Sequence, residues 1–115
     1  MANLEMNGPY LLTNDEIDKR VESGKIGNYA LGYVKEKVFY VKYVGRSDND
    51  LNKRLKEHLG ENYSYFKYSY SSSIKNAFEK ECKNYHDFGG ADKLDNKIHP
   101  DKPENTSYKC PVCEY

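Results

Sequence analysis

Hydrophobic and polar positions along the middle of this chain predict an antiparallel β-hairpin. Tyrosine, valine and phenylalanine dominate residues 29–34 and 38–44, and the polar segment 35–37 separates the two runs. Aromatic and β-branched residues favour strands, and a short polar break between two such runs is typical of a hairpin. Residues 63–70 alternate aromatic with smaller or polar residues and predict a third strand.

Three helices follow from capping signals and apolar spacing. Thr13 and Glu16 form a capping box, which predicts a helix over 14–23 that Gly24 ends. Asp50 is the expected N-cap of a helix from Leu51 to about residue 59. A serine run over 71–73 supplies the cap of the longest helix, over about 74–88, which ends at a Gly-Gly pair. We expect residues 1–12 to be a loose lead-in.

Length and composition favour one folded domain over 1–115. The chain is 37% hydrophobic and 31% charged, which fits a globular protein and argues against disorder. It shows neither an apolar run long enough to cross a bilayer nor a signal-peptide pattern. The expected location is therefore cytoplasmic, without a membrane partner.

The formal net charge of zero argues mildly against a nucleic-acid ligand, because that binding depends on clustered positive charge. A local basic face is nevertheless expected. Lys53, Arg54 and Lys56 share one helix, and Arg46 lies shortly before it.

Candidate phosphate chemistry centres on the end of the second strand of the hairpin. Tyr43-Val44-Gly45 ends that strand, and the helix beyond it places Arg54 and His58 one turn apart on one face. Arginine binds phosphate through a bidentate fork, and histidine exchanges protons near neutral pH. Gly27-Asn28-Tyr29 begins the preceding strand, and Glu81 lies at the edge of the inward stripe of the longest helix.

This ordered set resembles the GIY-YIG nuclease family over about residues 27–96. Gly27-Asn28-Tyr29 and Tyr43-Val44-Gly45 correspond to the two halves of its name. Arg54, His58, Glu81 and Asn96 match, in order, its helix arginine, the histidine one turn later, its metal-binding glutamate and a following asparagine. The resemblance implies an α+β, sandwich-like fold with a three-stranded antiparallel sheet flanked by helices, and a metal-dependent endonuclease that hydrolyses DNA.

The resemblance also implies roles for individual residues. Glu81 would hold Mg²⁺ or Mn²⁺, with Glu79 as the alternative ligand, and Arg54 would clamp the phosphate. Tyr29 and Tyr43 would position or deprotonate the attacking water, with their pKa values lowered by Arg54 and the metal. His58 would hydrogen-bond a tyrosine or the phosphate, and Asn96 would brace the glutamate or a phosphate. The substrate-binding set is Arg46, Lys53, Lys56 and Asn96.

The three cysteines predict a second, structural metal site. Cys110 and Cys113 have the spacing of a zinc half-site, and Cys82 and His86 lie one turn apart on the longest helix. Together they would form a Cys₃His zinc site that fastens the tail, 97–115, to the domain. His99 is the alternative histidine ligand.

A second function is compatible with the same residues. The chain would then be a non-catalytic, zinc-stabilised module that binds nucleic acid or protein. For the nuclease, specificity would come from DNA structure, from the zinc-bound tail, or from a protein partner or homodimer, because a single small domain has little room for a separate DNA-binding part.

Overall fold

The structure is a computed structural model that describes residues 4–96, 99–100, 102–103, 106 and 108–112. Strands and helices alternate along most of the chain. In order they are β1 (Asn7–Leu11), α1 (Asn14–Arg20), β2 (Gly27–Lys35), β3 (Val38–Ser47), α2 (Leu51–Lys56), β4 (Tyr65–Tyr70), α3 (Ile74–Asp87) and α4 (Gly90–Lys93).

The strands form one antiparallel sheet in the order β1-β4-β2-β3. The predicted α+β class with an antiparallel sheet and flanking helices is confirmed, but the sheet has four strands rather than three. The additional strand, β1, lies in the segment that was expected to be a loose lead-in. Its Tyr10 ring packs 5.8 Å from the ring of Phe66 on β4. A five-residue strand containing Gly8 and Pro9 carries little local signal, so long-range pairing decides its structure.

The predicted helix starts are confirmed by their caps. Thr13 Oγ1 accepts a hydrogen bond from the Glu16 amide at 3.1 Å, and Asp50 Oδ1 accepts one from the Lys53 amide at 3.2 Å. Ser73 caps α3 in the same way. Each cap satisfies an amide that has no partner within the helix.

Two predicted helix ends were too late. α1 ends at Arg20 rather than residue 23, because the buried Val21 adopts an extended conformation and joins the core. α2 ends at Lys56 rather than residue 59, so His58 lies in the turn that follows it, where its amide donates to the Leu55 carbonyl. None of the helices in the described part of the chain is long and apolar enough to cross a bilayer.

The sheet is covered by helices on both faces. One face packs against α1 and α2 through a cluster of Leu12, Ile17, Val21, Tyr29, Leu31, Leu51, Leu55, Phe66 and Tyr68. The other face packs against α3 through a cluster of Leu4, Ala30, Val44, Tyr85 and Leu94. Burial of these apolar side chains is the main stabilising contribution to such a fold.

Candidate functional site

An open cleft of about 980 Å³ lies where the ends of β2 and β3 meet α2 and α3. Most of the residues proposed from the sequence line it: Tyr29, Tyr43, Arg46, Lys53, Arg54, His58, Glu81 and Asn96. The cleft is therefore the candidate active site, and it will be called the tyrosine cleft.

Tyr29 reaches the cleft across the backbone of the neighbouring strand. Its partner in the β2–β3 pairing is Gly45, and a Cβ atom at that position would collide with the tyrosine ring and hydroxyl. The ring is only 2% exposed. The glycine of Tyr43-Val44-Gly45 is thus needed for close approach of the Tyr29 ring.

The two tyrosines of the cleft are stacked. Their ring centroids are 6.4 Å apart with an interplanar angle of 18°, and the Tyr63 ring lies 6.2 Å from that of Tyr43. Burial raises the pKa of Tyr29 well above its usual value and raises that of Tyr43, while the Arg54 charge opposes both shifts. In the protein alone, both phenols therefore stay protonated at neutral pH.

A chain of hydrogen bonds runs from Tyr29 through His58 to Glu61. The Tyr29 hydroxyl lies 2.7 Å from His58 Nε2, and His58 Nδ1 lies 2.9 Å from Glu61 Oε1. An ionised carboxylate can only accept, so in the neutral imidazole Nδ1 carries the proton and Nε2 accepts from the phenol. Sequence reasoning missed Glu61, although its spacing of three from His58 was a usable signal.

Glu81 lies on α3 at the back of the cleft, and Arg46 holds its carboxylate. Arg46 Nη1 donates to Glu81 Oε1 at 2.5 Å, while Arg46 Nε donates to Asp48 Oδ1 at 2.8 Å. Burial raises the pKa of Glu81 to about 7, and Arg46 opposes that rise. Arg46, expected to bind substrate, is thus engaged with two carboxylates, and Asp48 was missed from the sequence.

The two competing glutamates lie in different places. Glu81 is 8% exposed and faces the tyrosine cleft, whereas Glu79 lines a separate small depression beside Leu4 and Lys80. Of the two glutamates, only Glu81 lines the tyrosine cleft, so only Glu81 could hold an ion there.

The basic residues of α2 divide between two sides of the helix. Arg54 and Lys53 line the cleft, and Arg54 Nη1 pairs with Glu57 Oε1 at 3.0 Å. Lys56 instead pairs with Asp18 of α1, with 2.6 Å between Nζ and Oδ1. Lys56 therefore does not belong to the group of basic residues at the cleft, contrary to the expectation from sequence.

Two asparagines fix the frame around the cleft. Asn96 donates to the Val44 carbonyl at 2.8 Å and accepts from the Val44 amide at 2.9 Å. Its amide therefore braces the outer edge of β3, where bracing of a glutamate or phosphate was expected. Asn28 is fully buried and donates to the Ala77 carbonyl at 2.9 Å, which ties β2 to α3 one turn before Glu81.

A second group of ligand-type side chains joins α3 to the chain that follows it. Donor atoms of Cys82, His99 and Cys110 all lie within 4.8 Å of one another and could hold a metal ion. Burial, followed by the neighbouring Cys110 thiol, raises the pKa of Cys82. The histidine in this group is His99, the alternative ligand, rather than His86. Cys113 lies outside the described residues.

The comparisons with known proteins found no matching family model, no similar curated protein and no similar solved structure.

Proposed function

We propose that the protein is a metal-dependent endonuclease of the GIY-YIG type that hydrolyses phosphodiester bonds in DNA. The observation that carries the proposal is the Tyr29–His58–Glu61 hydrogen-bond chain in the same cleft as Arg54 and Glu81. Hydrolysis of a phosphodiester requires a proton acceptor for water, a clamp for phosphate charge and a metal ligand. These three kinds of group line one cleft.

The hydrogen-bond chain supplies the proton acceptor. As water attacks phosphorus, its proton passes to the Tyr29 oxygen while the phenol proton moves to His58 Nε2. The water O–H bond and the phenol O–H bond break, and the water-derived hydroxyl bonds to phosphorus. The bond from phosphorus to the leaving sugar oxygen breaks, and that oxygen departs with the electron pair and takes a proton from solvent. Glu61 stabilises the imidazolium that forms. Because the pKa of Tyr29 is raised, the tyrosine acts as a relay and not as a resident phenolate.

Arg54 supplies the clamp for the phosphate. Its side chain and that of Glu57 are each 52% exposed, and exposed ion pairs of this kind contribute little free energy. A phosphate can therefore replace Glu57 as the partner of Arg54 at small cost. The planar guanidinium then donates to two phosphate oxygens at once.

Glu81 supplies the ligand for Mg²⁺ or Mn²⁺. When bound, such an ion polarises the phosphoryl oxygens and stabilises the charge that develops during hydrolysis. Arg46 orients the Glu81 carboxylate, and its own guanidinium stacks over the Phe78 ring at 5.3 Å. Packing on Phe78 and the pair with Asp48 both restrict the movement of Arg46.

We also propose that the ion of the Cys82, His99 and Cys110 group is structural Zn²⁺. Thiolate and imidazole ligands favour zinc over magnesium or calcium. A reducing cytoplasmic location would keep both cysteines available as ligands.

The test is cleavage of supercoiled plasmid by the purified protein with Mg²⁺, with Mn²⁺, without added metal and with EDTA, with zinc content measured after each treatment. We expect nicking that requires added Mg²⁺ or Mn²⁺, is abolished in Glu81→Gln and persists in the control Glu79→Gln. Cleavage that survives in Glu81→Gln would contradict the assignment of the metal ligand. Binding of DNA without cleavage of plasmid, branched or single-stranded substrates would instead favour the non-catalytic binding module.

A further inference from the structure

The group formed by Cys82, His99 and Cys110 is built into the protein interior. Cys82 is fully buried on α3, Cys110 is 5% exposed, and both pack with Phe78 and Tyr108. The donor atoms come from three separate parts of the chain, yet all lie within 4.8 Å of one another. Structural zinc sites use four such ligands in a closed tetrahedron, so this group lacks one ligand.

His86 is a further ligand-type residue beside this group, outside the set whose donor atoms lie within 4.8 Å of one another. It follows Cys82 by one turn of α3, and its ring centroid lies 5.1 Å from that of His99. Its Nε2 atom is buried and has no hydrogen-bond partner among the described residues. A buried imidazole nitrogen without a partner costs free energy, which coordination to a metal would remove.

We infer that Cys82, His86, His99 and Cys110 together form a four-ligand zinc site that fastens the chain after α4 onto α3. This set contains two thiolates and two imidazoles, whereas the sequence favoured three thiolates and one imidazole. The difference is the replacement of Cys113 by a second histidine.

The same ion holds one wall of the tyrosine cleft. His99 and its neighbour Pro100 line the cleft, and Asn96, three residues earlier, pairs with Val44 on the outer edge of β3. On α3 the ligand Cys82 directly follows Glu81. Zinc binding therefore fixes both the wall of the cleft and the helix that carries Glu81. The zinc ligand set does not depend on the proposed nuclease activity. Only the effect of zinc binding on catalysis rests on that proposed function.

The first experiment measures the ligand set directly. Zinc content and affinity, and the absorption spectrum of the Co²⁺-substituted protein, are compared for the wild type, His86→Ala, Cys113→Ser and Cys110→Ser. We expect one zinc per wild-type chain and a tetrahedral Co²⁺ spectrum whose charge-transfer intensity corresponds to two thiolates. His86→Ala and Cys110→Ser should each lower zinc affinity at least about tenfold, and Cys113→Ser should not.

The opposite pattern would overturn the ligand set. If Cys113→Ser lowers zinc affinity while His86→Ala leaves it unchanged, the ligands are Cys82, His99, Cys110 and Cys113. A wild-type protein that retains less than half an equivalent of zinc after gentle purification has no such site.

The second experiment tests whether zinc binding fixes the cleft wall at His99 and Pro100, and it does not depend on DNA cleavage. Hydrogen exchange of the Val44 amide, which donates to Asn96, is compared between the wild type and Cys110→Ser, with the Leu31 amide of the central strand β2 as control. We expect at least tenfold faster exchange at Val44 in the variant and little change at Leu31. Unchanged protection at Val44 would refute the coupling. Faster exchange of the Val44 amide in Cys110→Ser, in a protein that cleaves no DNA, would support the zinc site and contradict the proposed nuclease activity.

Discussion

The ring of Tyr29 occupies the space where a side chain at Gly45 would begin. The two residues are directly paired across β2 and β3, and a Cβ atom at Gly45 would meet Cζ, Cε1 and the hydroxyl of the tyrosine. The tyrosine is also hydrogen-bonded to His58, so it cannot move aside without breaking that bond. The glycine in Tyr43-Val44-Gly45 is therefore explained by the position of the tyrosine in Gly27-Asn28-Tyr29.

Replacement of Gly45 by alanine should consequently harm the protein through Tyr29. We expect Gly45→Ala to lower the free energy of unfolding by about 1–3 kcal/mol, the usual cost of overpacking a filled site. In a Tyr29→Ala background the space is vacant, and the same change should cost nothing or stabilise the strand slightly. Urea unfolding of the four proteins completes the double-mutant cycle. An equal cost in both backgrounds would show that the ring is not the obstacle.

The hydrogen-bond chain in the cleft predicts that its members act as one unit. Tyr29→Phe and His58→Ala should each lower the cleavage rate by roughly 10²–10⁴, the range for loss of a general acid–base group. The double variant should be little slower than either single variant, because both changes interrupt the same proton path.

Glu61, the last member of the Tyr29–His58–Glu61 hydrogen-bond chain, provides a control with a smaller expected loss of cleavage rate. Glu61→Gln keeps an acceptor oxygen for His58 but removes the charge, and the Glu61 side chain is 48% exposed. We expect a smaller rate loss than for His58→Ala, measured with saturating metal on proteins whose circular dichroism is unchanged. Multiplicative losses in the Tyr29–His58 double variant would contradict the relay.

Two of the three basic residues of α2, Arg54 and Lys56, predict opposite outcomes for the cleavage rate. Arg54→Ala should lower the cleavage rate by roughly 10²–10³, as for loss of a group that stabilises transition-state charge. Its effect on the free energy of unfolding should stay within about 1 kcal/mol, since its pair with Glu57 is exposed.

Lys56→Ala is the matched control for Arg54→Ala. Lys56 carries the same charge but pairs with Asp18 on the side of α1. We expect nearly wild-type cleavage from this variant in assays at one fixed salt concentration. Equal losses from the two variants would mean that α2 contributes only general positive charge.

Local patterns predicted much of the fold and the regions that contribute to the cleft. The tyrosine, valine and phenylalanine content of 29–34 and 38–44 and the polar break between them predicted the hairpin. The side chains of Thr13, Asp50 and Ser73 predicted the helix starts. Such features depend on residues a few positions apart. Strands β2, β3 and β4 and the starts of α1, α2 and α3 could therefore be predicted without knowing how the chain folds back on itself.

Long-range partners could not be predicted in the same way. Arg46 and Glu81 are 35 residues apart, and the sequence offered no reason to pair them. β1 depends on pairing of Asn7 with Tyr68. The position of His99 beside Cys82 and Cys110 depends on the path of the chain after α4. In each case tertiary packing selects among several residues that local chemistry makes equivalent.

Asn28 shows how one such long-range contact can be tested. It occupies the middle position of Gly27-Asn28-Tyr29, where an apolar residue would fit a buried strand equally well. Its Nδ2 donates to the Ala77 carbonyl at 2.9 Å, and its Oδ1 accepts from Ser71 Oγ at 2.7 Å. The side chain thereby holds the beginning of α3 against the sheet.

We expect Asn28→Leu, which nearly preserves volume, to lower the free energy of unfolding by about 1–3 kcal/mol, because the half-buried Ser71 hydroxyl loses its acceptor and α3 loses its attachment. Asn76→Ala, an exposed change on the same helix, should stay within about 0.5 kcal/mol. Urea unfolding at fixed zinc concentration measures both. Because α3 also carries Glu81, Asn28→Leu should weaken Mn²⁺ binding as well, and Asn76→Ala should not. An Asn28→Leu protein as stable as the wild type would show that packing alone positions α3.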